Sequence, residues 1–224
     1  MDTAADKDFI YCMLLNTGDG AKSKVIALPK KGFPKKQTTV LETTKGVEGL
    51  FGFGKCLTAS NGSVYACLPY EHVVHELRQG KIRNSYSIDF GDLAATHTDE
   101  GLNREAFYAK GNSDKIWTVH NVVASDSLML FNTNKAKAYV INTRREKGHS
   151  YNYINSGQPF MLSTIIPSQG INDAVVFEVA GNDIGYYPRA MKRFKWMRPD
   201  STLMRISNSF AQNSNTVIGI YRIK

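Results

Sequence analysis

Asn61-Gly62 sits between two apolar alternating runs, and few folds are open to a chain that carries this pair in this setting. Both central residues of a two-residue hairpin turn need positive φ, which asparagine and glycine tolerate best. Centring the turn there pairs Ala59 with Val64, Leu57 with Ala66 and Cys56 with Cys67. Strand side chains alternate, so Leu57, Ala59, Val64, Ala66 and Leu68 share one face, and Thr58, Ser60, Ser63 and Tyr65 share the other. Pro69 and Tyr70 end that strand, because proline cannot donate to a central ladder. Val73, Val74 and Leu77 begin a third strand, Gln79-Gly80 turns it, and residues 82–90 form a fourth. Four short strands in roughly 40 residues match one propeller blade in size.

The same kind of text recurs on both sides. Residues 9–16 and 24–28 read as a hairpin around Gly18-Asp19-Gly20, residues 29–36 as a proline-rich loop, and residues 38–42 as a strand. The glycine-rich stretch 46–54 has no Gly-Lys-Ser/Thr and no helix after it, so it reads as an aromatic-packed strand entry and not as a phosphate loop. Downstream of a polar connector over residues 92–104, strands are expected over residues 116–123, 127–132 and 138–142. A third cycle is carried by residues 160–166 and 174–179. A short helix near residues 201–211 puts Leu203, Ile206 and Phe210 on one face, and residues 217–223 form a final strand that closes a sheet. The expected fold is all-β: a β-propeller-like array of four-stranded antiparallel blades in a single domain over residues 1–224. At about 40–50 residues per blade the chain holds four to five blades in an incomplete ring.

Composition narrows the function classes. The hydrophobic share of 42% suits a globular protein and excludes a disordered one. No apolar run approaches the ~18 residues of a membrane helix, and MDTAADKDF lacks the pattern of a secretory signal, which places the chain in the cytoplasm if Met1 is its true start. The net charge of +8 is spread over local clusters such as Lys30-Lys31, Lys35-Lys36 and Arg144-Arg145, so it reads as solvated surface before it reads as a polyanion contact. Three cysteines make no disulfide framework. Cys56 faces Cys67 at a hydrogen-bonded site, where Cα atoms lie about 5.5 Å apart. That distance permits a disulfide, but side chains diverge at such sites and two thiols are expected.

Chemistry-bearing patterns are sparse. His72 and His75 are three apart, which puts them on opposite faces of a strand as structural or surface residues, and His97, His120 and His149 are isolated. There is no G-x-S-x-G, and Asp89, ahead of Phe90-Gly91, reads as a side chain bonding a turn backbone. No catalytic residue, metal ligand or cofactor is assigned. Tyr65, Tyr70, Tyr86 and Trp117 are residues able to stack on sugar rings at a blade rim. The preferred ligand-binding candidates are Tyr186, Tyr187, Arg189 and Trp196, aromatics beside cations in a loop.

SVYACLPYEHVVHELRQGKIRNSYSIDFG resembles the corresponding segment of the six-bladed β-propeller family common in Bacteroidota, and NSNTVIGIYRIK is similar to that family's ending. The resemblance spans roughly residues 50–224 and is most specific at Tyr86–Gly91. It departs at Thr216, where the family has proline, and at Val74-His75, where it has Ile-Tyr. It implies an NHL-like propeller exported to the periplasm or cell surface, of which this chain lacks the first one or two blades, leaving open edges through which copies could associate. The expected function is a noncatalytic binding module for an unidentified ligand or protein partner, with a glycan as one candidate. A glycan-active enzyme using channel-mouth carboxylates is the alternative, and a basic cytoplasmic protein binding nucleic acid ranks below both.

Overall fold

The computed structural model describes residues 2–14, 22–32, 37–46, 54–95, 104–135, 138–151, 167–171, 174–179 and 217–222, together with residues 205 and 208. Strands β1 (Asp2–Ala5), β2 (Phe9–Leu14), β3 (Lys22–Pro29) and β4 (Thr38–Gly46) form an antiparallel sheet in chain order. Strands β5 (Leu57–Ser60), β6 (Ser63–Ala66), β7 (Val73–Arg78) and β8 (Lys81–Ser87) repeat the pattern. So do β9 (Val119–Ala124), β10 (Leu128–Thr133), β11 (Ala138–Asn142) and β12 (Lys147–Tyr151). Strands β13 (Pro167–Ile171), β14 (Ala174–Val179) and β15 (Val217–Arg222) are antiparallel neighbours, and one parallel bridge from Gly170 to Ser60 links them to β5. A short helix, α1 (Arg104–Ala109), interrupts this pattern between the second and third sheets. The protein is all-β, with blade-like four-stranded sheets in a propeller-like arrangement.

Turn chemistry sets the registers. Asn61 and Gly62 have φ of 50° and 74°, and Leu57 faces Ala66 while Ala59 faces Val64. Gln79 and Gly80 repeat the geometry at 53° and 74° between β7 and β8. The final strand closes its sheet along its whole length, from Ala174 opposite Arg222 to Val179 opposite Val217. Arg205 and Asn208, within the helix expected over residues 201–211, are both helical. Residues 160–166 lie outside the described set. Two boundaries and three elements differ from expectation. The strand expected to reach Phe90 stops at Ser87, because Asp89 Oδ1 accepts the Gly91 N–H at 2.7 Å and bends the chain away. The strand expected from Ile116 starts at Val119, Ile116 itself making only an isolated parallel bridge to Ala94. The polar strands β1 and β12, and helix α1 within and beyond the connector, were not foreseen.

The second sheet is covered on both faces. Val64, Ala66 and Leu77 enter a core with Tyr11, Met13, Val25 and Ala27 of the first sheet. Their alternating neighbours Tyr65, Cys67 and Val74 enter a second core with Val119, Val122, Met129 and Phe131 of the third. All four residues of β6 are buried, as a strand between two sheets must be. Each fully buried large apolar side chain contributes on the order of 1.5–3 kcal/mol. The first strand of each sheet lies innermost: β5 packs on β1 and β9, and β13 on β5 and β9.

Candidate binding cleft between the second and third sheets

The two junctions of the middle sheet end differently at their outer rims. Between the first and second sheets, the chain between β1 and β2 is tied to the β7–β8 turn. Asp6 is buried, and its carboxylate accepts N–H groups of Asp8 (2.8 Å), Phe9 (2.7 Å) and Gln79 (2.8 Å) and the Tyr11 hydroxyl (2.8 Å). The Tyr11 oxygen in turn accepts the Gly80 N–H at 2.9 Å. Gly80 is required twice over: its φ is 74°, and a Cβ there would meet the Phe9 ring at 2.8 Å. Burial pushes the Asp6 carboxyl up, but the bonds from Phe9, Gln79, Tyr11 and Asp8 outweigh it and hold the group below the usual carboxylate value. The rim is clasped shut.

Between the second and third sheets, no described contact of that kind closes the rim, and a cavity of about 740 Å³ opens there. One wall is β8 and the chain after it, with Ser85, Tyr86, Ser87, Ile88, Asp89 and Phe90. The opposite wall is the face of the third sheet, with Met129 and Phe131 on β10 and Tyr139 and Ile141 on β11. The β11–β12 turn and β12 complete it with Thr143, Glu146, His149 and Ser150. Antiparallel pairing explains this grouping, since Ile141 faces Gly148 and Tyr139 faces Ser150. Gly148 keeps the floor low: a Cβ there would come within 2.9 Å of Ile141 Cγ1.

The floor is aromatic and stiff. Tyr139 stacks on Phe131 with ring centres 5.2 Å apart and planes 2° from parallel, while Phe90 meets both rings edge-on at 5.5 and 6.4 Å. His72 buttresses Phe90 at 5.4 Å and is itself pinned by a 2.7 Å hydrogen bond between Nε2 and the Ile116 carbonyl. Near Tyr86, buried Glu76 accepts Ser63 Oγ at 2.8 Å and Asn84 Nδ2 at 2.7 Å. Burial, and then the Glu76 charge, push the Tyr86 phenol above its usual value. Tyr139 is raised by burial as well, against a lowering bond with Thr133.

A second polar feature lies on the inner strands. His120 on β9 is 4% exposed, and neither ring nitrogen has a hydrogen-bond partner. Burial lowers it to about 4, so the ring is neutral at pH 7. It sits beside a bulge: Asn121 has φ of 54°, and the β9–β10 register shifts there. The Asn121 side chain accepts the Lys55 N–H at 2.8 Å, locking the bulge to the entry of β5.

Tyr186, Tyr187, Arg189 and Trp196 lie outside the described residues. Of the other aromatics expected at a rim, only Tyr86 lines the cleft. Tyr65, Tyr70 and Trp117 are 7%, 2% and 2% exposed and belong to the interior: Tyr65 lies on a strand covered on both faces, and Tyr70 and Trp117 pack together where their two connecting segments meet, the Tyr70 N–H on the Trp117 carbonyl at 2.8 Å. Asp89 does bond the turn backbone, as expected, and also borders the cleft. His75 bonds Ser85 at 2.9 Å and approaches Glu71 at 3.6 Å, a surface role. Cys12, Cys56 and Cys67 are free and buried, with the Cys67 N–H on the Cys56 carbonyl at 3.2 Å. Burial, and then Asp2, push the Cys56 thiol up to about 12, and burial raises Cys67 further, so neither is a nucleophile at neutral pH. Among the described residues there is no cluster of three or more His, Cys, Asp or Glu able to hold a metal. No helix among them is long and apolar enough to cross a membrane.

The fold and cleft define a class, an all-β protein of stacked four-stranded blades with an aromatic-floored cleft between two of them. No protein-family model matches the chain, and no curated protein sequence matches it.

Proposed function

We propose that the protein is a noncatalytic β-propeller binding module, of the exported six-bladed kind that its sequence resembles, and that its ligand enters the cleft between the second and third sheets. The observation carrying this reading is the cleft itself. Its volume of about 740 Å³ falls within the range of small-ligand sites, and its floor is rigid and apolar below polar walls. The polar groups Glu76 and Asn84 beside Tyr86 bond each other at 2.7 Å. The test is a thermal-shift and NMR ligand screen of the protein beside Ser150→Trp, which fills the cleft from the exposed strand β12. A ligand that stabilises the parent and fails to stabilise Ser150→Trp supports the reading. Ligands that bind both equally place the site elsewhere.

Glycan hydrolysis is the second reading, favoured by the carboxylates of Asp89 and Glu146 on one cleft. Release of reducing ends from a polysaccharide, lost in Asp89→Asn or Glu146→Gln, would put it first.

A further inference from the structure

We propose that the cleft takes an extended polypeptide segment carrying lysine or arginine beside apolar residues. This rests on the reading of the cleft as the ligand site and names what it selects. The net charge of the chain is +8, which by itself favours anionic ligands. The cleft has the opposite character: Asp89 and Glu146 line it, both exposed, and among the described residues no lysine or arginine does. Among the described residues its walls carry no amide side chain, and their hydroxyls, on Ser85, Ser87, Thr143 and Ser150, each accept as well as donate. Two carboxylates that only accept, beside hydroxyls with two acceptor sites for each donor, suit a ligand that supplies donors and positive charge.

The shape adds the second constraint. Among the described strands, β8 and β12 are each terminal in their sheets, and both border the cleft. Consecutive residues of both, 85–87 and 148–150, line it, so each edge offers backbone as well as side chains. A terminal strand edge pairs with an extended chain by main-chain hydrogen bonds, while alternate side chains of the guest enter the groove. With the guest on either edge, apolar side chains meet Phe90, Tyr139 and Ile141, and an ammonium or guanidinium reaches Asp89 or Glu146.

The test is a calorimetric and NMR titration with two synthetic hexapeptides of alternating valine and lysine or valine and glutamate, capped at both ends. The full chain is compared with Asp89→Asn/Glu146→Gln and with Ser150→Trp. Asparagine at 89 retains the oxygen that caps Gly91, so the fold is preserved. The lysine peptide is expected to bind, to lose roughly three- to tenfold in affinity in the double variant, and to lose binding in Ser150→Trp. Raising salt from 50 mM to 1 M weakens it similarly. Equal binding of both peptides, or lysine-peptide binding unchanged by the double variant, overturns the peptide assignment. A neutral oligosaccharide that is blocked by Ser150→Trp while neither peptide binds also overturns it and leaves the cleft as the ligand site. A lysine peptide that binds Ser150→Trp as well as the parent overturns both.

Discussion

The junction of the first and second sheets and the junction of the second and third are built alike inside and oppositely at the rim. Each buries alternate residues of the same strands: Val64 and Leu77 on one side, Tyr65 and Val74 on the other. The first is then sealed by Asp6, Tyr11 and the Gln79-Gly80 turn, and the second spreads into a cavity floored by Phe90, Phe131 and Tyr139. The difference teaches where stability and binding are divided. A clasp places four hydrogen bonds on one carboxylate and ties the first two sheets at their rim, whereas the second junction, with no such clasp among the described residues, leaves its aromatic floor bordering a cavity.

Breaking the clasp has the largest expected effect. Asp6→Ala strands the N–H groups of Phe9 and Gln79 and the Tyr11 hydroxyl, and should cost about 3–4 kcal/mol in urea unfolding. Tyr11→Phe keeps the packing and loses only the hydroxyl, for about 1–2 kcal/mol. On the cleft side, Tyr139→Ala should cost about 1–2 kcal/mol, since the ring is only half-buried, yet abolish ligand binding. Ser150→Trp should change stability by less than about 0.5 kcal/mol because the site is exposed.

Acid sharpens the contrast. Asp6 titrates below its ordinary value in the folded state, so its contribution is fully present above the unfolded value near 3.8 and lost as pH falls through the lower folded one. His120 acts at higher pH. Its folded value of about 4 lies below the ordinary value of 6.5, so between them the unfolded chain binds the extra proton and stability falls with falling pH. The slope is at most about 1.4 kcal/mol per pH unit. His120→Gln should flatten the urea midpoint between pH 6.5 and 4, and leave the fall below that, which Asp6→Asn alters instead.

Much of the middle sheet was legible because its information is local. Asn61-Gly62 specifies a turn and, with it, every partner from Leu57 to Ala66; β14 was read to its ends because its apolar run, broken only by Glu178, lies between segments carrying Asn and Gly. Strand β1 (DTAA) and strand β12 (KGHSY) carry no apolar alternation, and only their neighbours in the sheet make them strands. The clasp joins Asp6 to Gln79 across 73 positions, and the cleft joins Tyr86 to Tyr139 and Glu146. Neither leaves a spacing that could be recognised. Trp117 and Tyr70 illustrate the converse: an aromatic in a connecting segment reads the same whether it lies in a core or at a rim, and both are in the core.

Thiol labelling tests the asymmetry of the two junctions most directly. Ile141→Cys lies on the half-buried floor of the cleft and Val25→Cys at a 0% exposed site in the sealed junction, while Cys12, Cys56 and Cys67 serve as buried internal references. With a maleimide reagent under native conditions, Ile141→Cys should give one thiol that labels orders of magnitude faster than the other three, and Val25→Cys should give none. Fast labelling at position 25, or an Ile141→Cys thiol as slow as the references, would contradict an open second junction beside a clasped first.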